Sequence, residues 1–162
     1  MRVSPKEDPL NTIAQYLWPE DILLDIEVAS KDQLFDAIGR HMEREHAMPK
    51  ERVVVGLSRR EQVASTGLGE GVAIPHTRVE DLSGIQLAYL RLNSPLSFDA
   101  PDNRPVSDVL VILVPKQATE EHLLILADAA QLFSDRQFRE RLHSCRHALE
   151  VMALFESGSF QT

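Results

Sequence analysis

From Val109 to Val114 the chain reads Val-Leu-Val-Ile-Leu-Val, with no polar residue to turn toward water. Side chains of a strand alternate between two faces, so a strand that is apolar throughout must be covered on both. A strand over Asp108–Val114 therefore belongs in the middle of a sheet, and the rest of the chain must supply two covering layers. Further strands are expected at Ile22–Val28, where Ile22, Leu24, Ile26 and Val28 share a face at period two, at Val72–Ile74, and at Ile85–Leu92.

The covering helices have their own signals. Ser30 offers an N-cap and Gln33 completes a capping box, ahead of a stripe of Leu34, Phe35, Ile38 and Met42. Pro49 suits the first turn of a second helix with Val53, Val54 and Leu57 inside. Thr119 caps a third, with Glu120 and Glu121 in its first turn, His122 at the third position, and Leu123, Leu126, Ala127, Ala130 and Phe133 as its buried stripe. Shorter helices fit 135–143 and 146–156. This order gives an α/β layered sandwich, a mixed β-sheet flanked by helices. Residues 1–10, with Pro5, Pro9 and several charges, read as a flexible tail, and 11–162 as a single domain.

Composition narrows the function. With 43% hydrophobic residues in 162, one core forms without a disulfide or metal staple. The net charge is −8 and no basic run occurs, which argues against nucleic acid and suits a protein partner with a basic face. A lone Cys145 forbids a disulfide within the chain and fits a reducing compartment. No apolar stretch approaches the roughly 18 residues of a membrane span, and the polar N-terminus lacks the centre of a signal peptide. The expectation is a cytoplasmic protein without membrane insertion.

The chemistry concentrates in Arg59-Arg60-Glu61-Gln62-Val63-Ala64-Ser65-Thr66-Gly67-Leu68-Gly69-Glu70-Gly71-Val72-Ala73-Ile74-Pro75-His76. The glycines predict a tight, irregular loop. Pro75 disfavours helix at Ile74, so His76 is expected where a short strand gives way to a loop. No Lys-Ser/Thr follows the glycines and no Gly-x-Gly-x-x-Gly is present, so neither nucleotide-binding loop is indicated. A neutral imidazole keeps a lone pair with which to act as a nucleophile. Backbone N–H groups at Gly67, Gly69 and Gly71, with Ser65 and Thr66, are candidates to hold the oxygens of an anion such as phosphate. Arg60 and Arg78 are candidates for charge compensation, and Glu61 either bonds Arg60 or caps the loop.

This segment resembles the active-site segment of the type-2 IIA family of the phosphotransferase system, in which the histidine of the Ala-Ile-Pro-His element is phosphorylated. Phe98-Asp99-Ala100-Pro101-Asp102-Asn103-Arg104-Pro105-Val106, running into Val109–Pro115, is similar to the nitrogen-regulatory branch in particular. His122-Leu123-Leu124-Ile125-Leu126-Ala127 resembles the helix carrying the family's second active-site histidine. The resemblance spans about residues 20–155. It departs from the pattern at Thr77, where the family commonly has glycine before a basic residue, here Arg78. It implies that His76 accepts a phosphoryl group from a small HPr-like histidine phosphocarrier protein, itself fed by a phosphoenolpyruvate-dependent enzyme I. It implies that His122 orients His76 or bonds the phosphoryl oxygens, and that regulatory protein targets read the phosphorylation state. The alternatives are a sugar-transport IIA component relaying phosphate to a IIB domain, and an interaction module whose histidine is unused.

No cofactor and no metal are expected. His143-x-Cys145-x-His147 has ligand-type residues but no carboxylate at matching spacing, and reads as adventitious. His41 and His46, five apart and surrounded by charge, are expected to face solvent.

Overall fold

The structure, a computed structural model, describes residues 12–117 and 120–158. The expected tail and the Thr119 cap lie outside the described residues. The chain runs α1 (Thr12–Tyr16), a 3-10 turn (Pro19–Asp21), β1 (Ile22–Ile26), α2 (Lys31–His46), α3 (Lys50–Val63), β2 (Gly67–Gly69), β3 (Val72–Ala73), β4 (His76–Val79), β5 (Gln86–Leu96), β6 (Val106–Pro115), α4 (Glu120–Ser134), α5 (Arg136–Ser144) and α6 (Ala148–Gly158). One sheet has the order β1-β5-β6-β3-β2, with β4 also pairing β6. It is mixed: β1 with β5, and β6 with β3 and β4, are parallel, while β5–β6 and β2–β3 are antiparallel.

Strand β6 occupies the middle, as its apolar run requires. Leu110, Ile112 and Val114 enter one core with Ile13, Leu17, Ile125, Ala129, Phe133 and Phe155 from α1, α4 and α6 and the segment after α1. Val109, Val111 and Leu113 enter a second core with Leu34, Phe35, Ile38, Val53 and Leu57 from α2 and α3. Alternation by one residue thus sends neighbouring side chains into different cores.

Several expectations need correction. Strand β1 does not keep one face to Val28: Asp25 takes φ 59°, the register shifts between Leu23 and Ile26, and Ile26 and Val28 pack on the second core while Ile22 and Leu24 join the first. A bulge inserts one residue and turns the side chains beyond it to the opposite face. Ser30 accepts from Gln33 N as expected, but the Gln33 side chain returns to Ala29 N rather than to Ser30 N. The stripe of α4 is rotated, with Ile125, Ala129, Leu132 and Phe133 buried and Leu123 58% exposed. Helix α1 gives no sequence signal because five residues carry little periodicity; its Ile13, Ala14 and Tyr16 are buried.

His41 and His46 do not face solvent. They are 2% and 5% exposed, and both Nε2 atoms bond Asp21 Oδ1, at 2.6 and 2.7 Å. Gln86 Nε2 donates to Asp21 Oδ2 at 3.0 Å. Burial works to raise the Asp21 carboxyl, but the hydrogen bonds and charges of the two histidines together outweigh it and hold it below its ordinary value. Period alone could not reveal this, since Asp21 stands in a different element. Both Nδ1 atoms are buried without a partner among the described residues, so the set lacks the outer hydrogen bonds that metal-bound histidines carry. His143, in turn, bonds the buried Asp108 at 2.6 Å.

Candidate active site

Four residues of β4 lie parallel to β6, His76 opposite Ile112, Thr77 opposite Leu113 and Arg78 opposite Val114. The register is secured just upstream, where Pro75 O accepts from Ile112 N at 3.0 Å. His76 therefore opens a strand, and does not sit where a strand gives way to a loop. Because it shares the face of Ile112, its ring points to the α4 side, and Arg78 follows it at period two. Thr77 points the other way, toward α3. Gly56 of α3 leaves the space it needs: a Cβ there would come within 2.9 Å of the Thr77 side chain. A threonine after the histidine thus fits an ordinary strand position, matched by a glycine across the interface.

Helix α4 crosses the same face and brings in His122. A cavity of about 270 Å³ opens between them, with His76, His122, Arg60 and Arg78 supplying its polar side chains, Ile112, Val114 and Leu126 its apolar wall, and Thr77 completing the lining. His122 and Leu126, one helical turn apart, both reach it. The expected meeting of His76, His122, Arg60 and Arg78 is present in one space.

His76 Nδ1 lies 2.8 Å from Ile74 O. A carbonyl can only accept, so Nδ1 carries the hydrogen and Nε2 keeps the lone pair. Burial lowers the pKa of His76 from its ordinary value, the Ile74 hydrogen bond works against this, and the charges of Arg60 and His122 add to the lowering. Burial and those charges both favour the neutral ring, which has one nitrogen available. Arg60 Nη1 donates to Ala64 O at 2.8 Å, and a guanidinium has further N–H groups to offer. Arg78 Nη1 donates to Lys116 O at 2.6 Å. His122 Nδ1 is buried with no hydrogen-bond partner among the described residues.

The glycine segment forms a short hairpin, β2–β3, rather than an irregular loop. Gly69 and Gly71 take φ of +103° and +80°, a region side chains disfavour. Ser65, Thr66, Gly67, Gly69 and Gly71 are not part of the cavity lining. Thr66 N and Oγ1 donate to Glu61, Gly67 N donates to Ser65 Oγ, and Ser65 Oγ to Phe98 O. The Thr66 amide is thus committed to Glu61 of α3 and the Gly67 amide to Ser65, and the hairpin acts as a frame for His76. Sequence reasoning missed the Ile74 carbonyl, a backbone group with no side-chain signal. It also left Glu61 open, and the structure makes it the acceptor for Thr66. The apolar wall was legible in principle, since Ile112 and Val114 are alternate positions of the central run.

The family described as "Phosphoenolpyruvate-dependent sugar phosphotransferase system, EIIA 2" matches residues 15–158, and the chain belongs to it. The nitrogen regulatory protein of Pseudomonas aeruginosa is 36% identical over 135 residues, 82% of this chain and 86% of that one. The crystal structure of nitrogen regulatory protein IIA-Ntr from Neisseria meningitidis superposes with a TM-score of 0.83 at 43% identity, covering 88% of this chain and 98% of the other. IIA mannitol from Escherichia coli shares the fold, with a TM-score of 0.73 at 22% identity over 86% of this chain and 98% of that one. The phosphotransferase-system class inferred from the active-site segment and the nitrogen-regulatory likeness inferred from residues 98–106 are both met. No helix among the described residues is long and apolar enough to cross a membrane.

Proposed function

We propose that the chain is a regulatory phosphocarrier that takes a phosphoryl group on Nε2 of His76 and signals through its presence. One observation carries this reading: the Nδ1 hydrogen is committed to Ile74 O, which leaves Nε2 as the nucleophile in a cavity shared with Arg60, Arg78 and His122. The donor is a phosphohistidine on a small HPr-like phosphocarrier protein, charged by an enzyme I that consumes phosphoenolpyruvate. The Nε2 lone pair forms the bond to phosphorus, the bond from phosphorus to the donor nitrogen breaks, and the electron pair returns to the donor ring. The His76 ring keeps its proton on Nδ1, donated to Ile74 O, becomes an N-phosphorylated imidazolium, and so remains a good leaving group for onward transfer.

Transfer of this kind passes through a loose transition state in which the protein supplies alignment and charge. Arg60 and Arg78, which line the cavity with His76 and His122, supply the charge, and His122 bonds a phosphoryl oxygen. Beside His122, Leu123 and Leu124 are each 58% exposed, an apolar shoulder suited to a protein donor rather than a small molecule. The regulatory half of the reading draws support from the nitrogen regulatory proteins among the relatives. By analogy with other phosphorylated side chains the phosphoryl oxygens carry about −1.5 to −2. The imidazolium ring offsets about one unit of that charge, and the anion left on the surface is enough to alter which regulatory targets dock.

The test is incubation with phosphoenolpyruvate, enzyme I and a histidine phosphocarrier. Wild type gains an acid-labile adduct, mapped to Nε2 by NMR, and His76→Ala gains none. Equal labelling of His76→Ala overturns the assignment. Efficient passage onward to a sugar-specific IIB would instead establish the transport reading.

A further inference from the structure

We infer that Glu61 is a positioning residue for His76, acting through Thr66 and the Ile74 peptide; the inference rests on the proposed role of His76 as acceptor. Glu61 stands in the last turn of α3, beside Arg60, yet its side chain is only 6% exposed. Its carboxylate grips one residue twice: Oε1 accepts from Thr66 Oγ1 at 2.6 Å and Oε2 from Thr66 N at 3.1 Å. Lys31 of α2 donates to Oε2 at 2.9 Å and rests 4.8 Å from the centre of the Phe98 ring. The buried carboxylate is thus paired with a cation and hydrogen-bonded, as its burial demands.

From Thr66 the constraint passes directly to the histidine. Thr66 O accepts from Ile74 N at 3.0 Å, and Ile74 O accepts from His76 Nδ1 at 2.8 Å. Ile74 itself has little freedom. Its side chain is 4% exposed, and Pro75 confines it to extended backbone. Fixing its N–H therefore fixes the direction of its carbonyl. That carbonyl decides which nitrogen of His76 bears the hydrogen and which attacks.

Glu61 is not part of the cavity lining, so it does not touch the reacting atoms. Its place in the mechanism is to keep a hairpin rich in glycine from drifting. Without the carboxylate, Thr66 N–H and Oγ1 lose their acceptor. Gly67, Gly69 and Gly71 then give the segment freedom to move, and the Ile74 carbonyl moves with it. The same side chain thus joins α2, α3 and the hairpin into one support for a single hydrogen bond.

Imidazole nitrogen NMR on the full chain tests this together with the phosphorylation assay, using Glu61→Ala, Glu61→Gln and Thr66→Val. Wild type should show His76 as the Nδ1–H tautomer. Glu61→Ala should stay cooperatively folded, show a mixture of tautomers, and take up phosphoryl groups about 10–100-fold more slowly, the cost of a small misplacement at the reacting atom. Glu61→Gln keeps an acceptor oxygen for Thr66 and should recover most of the tautomer and the rate. Thr66→Val removes one of the two contacts and should move both readouts part of the way. A wild-type tautomer and rate in Glu61→Ala overturns the inference. If that variant fails to fold, unchanged values in Thr66→Val do the same. A wild type that folds but takes no phosphoryl group overturns the acceptor role of His76 instead, while the tautomer measurement still decides the role of Glu61.

Discussion

His76 is governed by one hydrogen bond and by burial. Its pKa is lowered, by burial first and by the Arg60 and His122 charges after it, so the neutral nucleophile should persist as the pH falls through about 6.5, the ordinary histidine value. Phosphoryl uptake from a pre-charged donor, followed from pH 8 down to pH 6 (on the order of one unit either side of neutrality), should therefore decline later than a free imidazole titrates. The stability linkage has the matching sign. The unfolded chain binds a proton at His76 more readily than the folded one, so stability is lost as pH falls through the unfolded value toward the lowered folded one. His76→Gln should lack that loss, as thermal unfolding against pH would show. His122 has the complementary part. His122→Ala should fold normally and exchange phosphate about 10²-fold more slowly, by analogy with loss of one charge-stabilising donor, and an unchanged single-turnover rate would remove it from the mechanism.

At the scale of elements, the site depends on how β4 meets β6 and α3. The register that puts His76 opposite Ile112 sends Thr77 against Gly56. Glycine inside a helix costs about 1 kcal/mol relative to alanine, a cost offset here by close approach. Gly56→Ala should destabilise by about 1–3 kcal/mol through overpacking. In a Thr77→Gly background the same change should become neutral or stabilising, and a double-mutant cycle by denaturant unfolding measures the difference. The hairpin follows a similar logic: Gly67 has no room for a Cβ, which would meet Ala100 Cβ at 2.8 Å, so this glycine serves packing, while Gly69 and Gly71 serve backbone conformation.

Across the whole molecule, buried polar groups tie the covering layers to the sheet. Asp21 joins the 3-10 turn to α2 and β5 through His41, His46 and Gln86. Asp21→Ala strands their donors and should cost at least about 1–3 kcal/mol, the penalty for one buried unsatisfied group; Asp21→Asn, which keeps an acceptor oxygen, should cost less, both read from urea midpoints at constant slope. Asp108 joins β6 to β5 through Tyr89 and to α5 through His143. The pKa of His143 is raised by its hydrogen bond to Asp108, against a smaller opposing effect of burial. Its contribution is fully present below the unfolded value of about 6.5 and is lost as pH rises through the raised folded value. The deficit of His143→Gln against wild type should thus be larger in mild acid than in mild alkali, and modest because the side chain is 52% exposed. Local sequence determined what depends on neighbours along the chain: the central strand, both long helices before the site, the extended backbone ahead of Pro75, and the segment Arg59–His76 that carries the family resemblance. Tertiary structure alone decided that β1 slips by a residue at Asp25, that α4 rotates its buried stripe, that His41 and His46 turn inward, and that Glu61 reaches Thr66. Each of these depends on a partner far away in sequence or on a backbone carbonyl with no letter of its own. A pattern read along one element records which residues avoid water, whereas the group a polar side chain will meet is settled only when the layers close.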